Sequence, residues 1–315
     1  MILPKPRGEL SAALFESLRA LPEAGMSVPA SADSPEDAAL SLWVLHELSY
    51  RGFDDVDDEA EWDPATLGVR RTLERDLEQR LRDRWPGHPG GGYSPDELLA
   101  YVAADDGPSL AAYVQKHATR EQTLELMRQR SIYHLKEADP SAWVVPRLPV
   151  RAKAALAELQ FDEYGDGDPN KLHAHLFARG LEAEGMRSEY GAYIDEATVE
   201  ALEVNNAMSL LGLHRRLRGA AMGHLAAFEA TSSVPSRKMA QGLSRLGFAD
   251  ALVGYYEEHV EADAVHEQLA ARNICGSLVE DEPAQAAEVF FGAFVCLDLE
   301  GRFGRSMLDR WGVEA

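Results

Sequence analysis

Very few segments of this chain alternate apolar and polar residues with a period of two, and runs of β-branched residues are scarce. A half-buried strand needs that alternation, whereas an amphipathic helix needs apolar residues three and four apart. The chain therefore reads as all-α, its helices packed as a bundle around a shared core. Ser34-Pro35-Glu36-Asp37 sets a capping serine before a proline and two acids, which predicts a helix over 36–50. Further helices are predicted over 10–21, 67–85, 94–103, 109–117, 119–138, 151–164, 171–184, 194–231, 237–246, 249–271 and 282–311. The helix over 119–138 should end before Pro140, because a proline disfavours helical backbone in the residue preceding it.

The 315 residues are expected to form a single all-helical domain, with 1–105 as accessory helices packed on a core over 106–315. No run of 18 apolar residues exists, so no membrane-spanning helix is expected, and 289–297 is too short to be one. Residues 1–9 lack the basic-then-apolar pattern of a signal peptide. Cys275 and Cys296 sit among apolar neighbours and read as small hydrophobes in a reduced, cytoplasmic protein. A formal net charge of -22 repels phosphates and anionic lipids, so neither nucleic acid nor membrane is an expected partner. Gly90-Gly91-Gly92 has no preceding strand and no following Gly-Lys-Ser/Thr, so it is a connection and not a phosphate loop.

Chemistry concentrates in 255–268, where His259, Asp263 and His266 are spaced H-x3-D-x2-H. On a helix these three fall within a narrow arc of one face, which suits convergence on a metal ion. The competing reading is an acidic surface helix with two solvated histidines. Other acids and histidines sit where charge is costly: Glu137 at the end of 119–138, Glu163 followed by His173 across a glycine break, and Glu229 in a nearly uncharged helix. For Glu229 the alternative is an ion pair with Arg215, Arg216 or Arg218; for Glu137 it is a solvated helix end. His175, His214 and His224 read as core or surface histidines, with His224 close enough to Glu229 for a supporting contact. Tyr164, Tyr255 and Tyr256 read as aromatic packing. His46, Glu47 and Tyr50 share a helix face and read as packing before site lining.

Glu137, then Glu163 with His173, then Glu229, then His259-x3-Asp263-x2-His266 together resemble the heme-oxygenase-like diiron oxidases and oxygenases, a family of iron-containing redox enzymes. The phrases L-K-E-A-D-P, D-E-Y-G-D-G, G-H-L-A-A-F-E and E-H-V-E-A-D-A-V-H carry the likeness over roughly 109–311. The N-terminal third resembles the family more loosely, through H-E-L-S-Y-R-G-F. The resemblance implies a heme-oxygenase-like bundle with extra N-terminal helices. It also implies that Glu137, Glu163, His173, Glu229, His259, Asp263 and His266 are catalytic metal ligands to two iron ions cycling between Fe(II) and Fe(III).

Four carboxylates against two Fe(II) ions leave the site near neutral, and the mixed nitrogen and oxygen donors suit iron, with manganese as the alternative. No Glu-x-x-His occurs, which separates the chain from ferritin-like bundles. The implied activity is that of an oxygenase or oxidase using O2 as cosubstrate on a small organic molecule, expected to be an amino acid or related carboxylate. N-oxygenation, hydroxylation, desaturation and C–C cleavage all fall within the family. An arginine within 213–218 would hold the substrate carboxylate, unless that stretch is a surface basic patch. An electron donor and a homodimer are further expectations. The alternatives are a metal-binding or storage protein without turnover, and a metal-free thiaminase-like member.

Overall fold

The structure, a computed structural model, describes residues 1–21, 25–88, 90 and 92–313; the side chains of 261–265 lie outside that description. Its helices are α1 (Glu9–Ala20), α2 (Pro35–Glu47), α3 (Pro64–Arg84), α4 (Pro95–Ala103), α5 (Leu110–Lys116), α6 (Arg120–His134) and α7 (Asp139–Ala142), then α8 (Val150–Glu163), α9 (His173–Ala183), α10 (Val199–Leu213), α11 (Arg218–Arg245), α12 (Asp250–Gln268), α13 (Ser277–Asp281) and α14 (Ala286–Arg310). Among the described residues there is no strand, so the fold is all-α as expected. No helix of these residues is long and apolar enough to cross a membrane.

The starts of several helices are written locally. Ser34, Ser94 and Ser109 each accept a hydrogen bond from a backbone N–H three residues on, with proline opening α2 and α4. Thr119 and Gln122 exchange bonds in a capping box at the start of α6.

The long helix α11 is the axis of the bundle and packs against α5, α12 and α14. Its crossing with α14 is a backbone contact: a Cβ on Gly223 would lie 1.8 Å from the Val289 carbonyl, and one on Gly292 would lie 1.9 Å from the Ala220 carbonyl. Only glycine lets two helices approach this closely. Around this axis α9 lies on α12, and α10 lies between α2 and α14. Phe177, Phe290, Phe291 and Phe303 fill the interior between them.

Three sequence expectations shift. The helix predicted over 119–138 stops at His134, and Glu137 sits in the turn before α7. The single helix predicted over 194–231 breaks at His214, whose extended backbone lets Nε2 sit 2.8 Å from Glu74 Oε2. The break expected near Pro235 is absent, because α11 continues through it. Proline there forfeits one helical hydrogen bond, but packing on both flanks outweighs that loss. A widened π segment, Leu269–Gly276, follows α12 and packs on α8.

His46, Glu47 and Tyr50 act in packing. Glu47 Oε2 accepts from Lys136 Nζ and from the Tyr190 hydroxyl, both at 2.8 Å. His46 lies between Glu74 and Asn206, and Tyr50 donates to Ser209. Both cysteines are buried and free, as expected.

Candidate metal centre

Six of the seven expected ligands meet inside the bundle; the side chain of the seventh, Asp263, lies outside the described residues. Each arrives by a local device. Glu163 is the last residue of α8 and His173 the first of α9. Between them Gly165, Asp166 and Gly167 all take positive φ, which reverses the chain tightly. A Cβ on Gly165 would lie 2.5 Å from the Leu172 nitrogen, so that turn requires glycine. As a result His173 Nδ1 is 3.1 Å from Glu163 Oε2, although ten positions separate them in the chain. Glu229 comes from the middle of α11, and His259 and His266 from two turns of α12.

The donors form two groups. Atoms of Glu137, His173 and His259 lie within 4.8 Å of one another, and so do atoms of Glu163, Glu229 and His266. Glu163 spans both: its Oε2 meets His173, while its Oε1 is 3.5 Å from His266 Nδ1. His266 Nδ1 is also 3.4 Å from Glu229 Oε2. In the first group Glu137 Oε1 is 3.9 Å from His259 Nε2 and is buried without a hydrogen-bond donor among the described residues. A buried carboxylate oxygen left so is costly unless a cation takes it. Two adjacent sets of oxygen and nitrogen donors, with one acid between them and a carboxylate oxygen waiting, fit a pair of metal ions.

Supporting contacts orient the donors. His259 donates from Nδ1 to the Tyr255 carbonyl at 2.7 Å, which leaves Nε2 toward Glu137. Glu137 Oε2 accepts from the Tyr255 hydroxyl at 2.9 Å and lies 3.2 Å from His134 Nδ1. His266 turns Nε2 outward to Asp162 Oδ2 at 2.6 Å. Asp162, His134 and the polar role of Tyr255 were not foreseen. Asp162 and His134 stand one and three residues from expected ligands, but adjacency alone does not reveal which atom a neighbour reaches.

Electrostatics follow from burial and pairing. Burial pushes the Glu137 carboxyl up to about 7, against the pull of His259. Burial also opposes charge on Glu163, yet the hydrogen bond and charge of His173 leave its carboxyl below the usual range. Burial disfavours the charged forms of His173 and His266, but Glu163 and Glu229 more than compensate and raise both to about 9. Without metal, protons on these two imidazoles neutralise the acids. Burial, joined by the charge of Arg130, drops His134 to about 3, and burial drops His224 to about 4.

A cavity of about 40 Å³ adjoins the donors, walled by Glu137, Glu163, Glu229 and His259 together with Gln160 and His224. His224 thus lines the site. Among the described residues, no arginine or lysine lines this cavity. The expected carboxylate clamp from 213–218 does not reach it: Arg216 pairs with Glu78 and Arg218 with Glu282, drawn outward by those acids. For the same reason these two arginines do not neutralise Glu229, which faces His266. His214 is engaged with Glu74.

Residues 124–301 match the family model described as iron-containing redox enzyme. The chain is 31% identical over 249 residues to the nitrosourea synthase of Streptomyces achromogenes subsp. streptozoticus, a match covering 78% of this chain and 48% of that protein. This chain belongs to the iron-containing redox enzyme family, an oxidoreductase family, as the resemblance implied. It spans about half the length of the curated relative it matches. The fold is also similar to the crystal structure of a CADD-like protein of unknown function from Nostoc punctiforme. There the TM-score is 0.54 at 16% identity, over 68% of this chain and 95% of that one.

Proposed function

We propose that this chain is a non-heme diiron oxygenase or oxidase that uses O2 to oxidise a small organic substrate. The observation that carries the reading is Glu163, one carboxylate between a Glu137–His173–His259 group and a Glu229–His266 group. Glu137, His173 and His259 would hold one iron, and Glu229 and His266 the other, with Glu163 shared and Asp263 completing the set. An iron pair held there would bind O2 and supply electrons to reduce it. The chain's own residues do the rest. Tyr255 and His134 steady Glu137, Asp162 steadies His266, and the adjoining cavity is where the reacting portion of the substrate would lie. Its similarity to a nitrosourea synthase supports an oxidation at a nitrogen-bearing molecule, and an amino acid or a derivative of one is the substrate class proposed. An external donor would return electrons to the site.

The test is anaerobic reconstitution with Fe(II), counting of bound iron, then exposure to O2. About two irons per chain with O2 consumed and a visible absorption change support the reading. Bound iron with no O2 uptake under any amino acid offered would favour a storage role. His259→Ala and His266→Ala should each lower iron content; unchanged iron in both would remove the ligand assignment.

A further inference from the structure

Gln160 stands one turn before Glu163 on α8 and is 6% exposed. It lines the cavity beside Glu137, Glu163 and Glu229. Both its amide atoms, Nε2 and Oε1, are buried with no hydrogen-bond partner among the described residues. A buried amide with neither donor nor acceptor used is expensive in a finished core, but it suits a surface that a ligand completes. Gln129 bonds the Glu196 carbonyl and the Thr198 N–H, Asn206 bonds the Ala39 carbonyl, and Asn205 uses its Nδ2 on the Ala201 carbonyl though its Oδ1 is unpartnered; Gln160 uses neither atom.

The charges of the cavity narrow what that ligand is. Among its described lining residues the acids are the metal-site glutamates. His224 is held neutral at pH 7 by burial, and no arginine or lysine is present. A carboxylate placed against Gln160 would find no side-chain cation. It would use the Nε2 donor and leave Oε1 facing another acceptor. A group with an N–H and a C=O on one edge satisfies both atoms at once, as paired amide edges do elsewhere in recognition.

We propose that Gln160 reads the substrate, taking a primary amide or urea-type group on the portion that lies beside the metal site. This deepens the proposed function and rests on that reading for the identity of the cavity as the substrate's.

The experiment is calorimetric titration, without O2, of this chain, Fe(II)-loaded and metal-free, with two matched pairs: L-glutamine against L-glutamate, and L-asparagine against L-aspartate. The amide member of at least one pair should bind about tenfold tighter. Gln160→Leu should abolish that preference, and Gln160→Glu, which keeps the size, should do the same if the leucine variant misfolds. Iron counted on each variant keeps the two readings apart. Two irons on wild-type protein with no amide preference overturns this proposal alone. A preference present in metal-free protein that holds no iron on loading overturns the diiron reading alone. Equal affinities within the pairs, no binding of either amide, or a preference that survives both substitutions rejects Gln160 as the reader.

Discussion

Asp162 Oδ2 lies 2.6 Å from His266 Nε2, on the side of the ring turned away from Glu163 and Glu229. A carboxylate there holds a proton on Nε2 and directs the Nδ1 lone pair inward, the arrangement that orients imidazole ligands in metal sites. Asp162→Asn keeps the volume but loses the charge, and Asp162→Ala loses both. The alanine variant should weaken metal binding about 10- to 100-fold, and the asparagine variant less. Competition with a chelator of known affinity measures this. Two variants that bind iron as wild type does would reduce the contact to a surface ion pair.

The metal-free protein should lose stability as the medium turns alkaline. His173 and His266, raised to about 9 by Glu163 and Glu229, contribute stability that is complete below the ordinary imidazole range and is lost as pH rises through about 9. Glu137, pushed up to about 7 by burial, adds to the same trend, its contribution being present below about 4.5 and lost through about 7. The Tm of metal-free protein is expected to fall by several degrees between about pH 6 and about pH 9. Iron affinity should rise over that interval, because binding must displace the imidazole protons. Paired thermal scans and iron titrations check both trends, and a Tm that climbs with pH contradicts the assignment.

Lys136 and Glu47 form a buried ion pair, 2.8 Å apart and at most 2% exposed. Lys136 immediately precedes Glu137, so the pair ties the ligand turn to α2 in the N-terminal part of the chain. Lys136→Met alone strands the Glu47 charge and should cost about 3–5 kcal/mol. Adding Glu47→Leu should recover much of that loss, since two apolar groups leave no charge buried. Denaturant unfolding of the single and double variants decides; equal losses would show that packing around the pair matters more than its charges.

At the crossing of α11 and α14, Gly223→Ala and Gly292→Ala each force a methyl group into a carbonyl oxygen of the facing helix. The backbones must separate, and Glu229 rides on α11 a turn and a half beyond Gly223. Each substitution should destabilise by about 3 kcal/mol or more and also reduce iron content. Gly254, where a Cβ meets nothing within 4 Å, is the control: Gly254→Ala should hold or raise stability, because it lies in the interior of α12. Thermal unfolding of the three variants gives the comparison.

Some boundaries were legible and others not, for identifiable reasons. Ser34 and Ser94 mark helix starts because capping bonds reach only three residues. Pro235 misleads, because the packing that carries α11 through it comes from other helices, α12 and α14, and not from its own turn. His214 breaks a run that reads as helix because its partner, Glu74, is 140 residues away. Among site residues, His259 and His266 can be read from spacing, since α12 supplies its own geometry. Gln160 cannot, because a glutamine is conspicuous only once its surroundings are known to hold no partner.

The amino-acid order by itself determined an all-helical chain and the pairing of His259 with His266, since these depend on local periodicity and on spacing along one helix, and its resemblance to known proteins pointed to the family and to the acids on the other helices. Only the tertiary structure decided that Glu163 stands between two donor groups, that Asp162 turns the His266 ring, and that Arg216 and Arg218 pair with acids away from the cavity. Those facts concern distances between segments up to 138 residues apart, and such distances are set by how the helices pack.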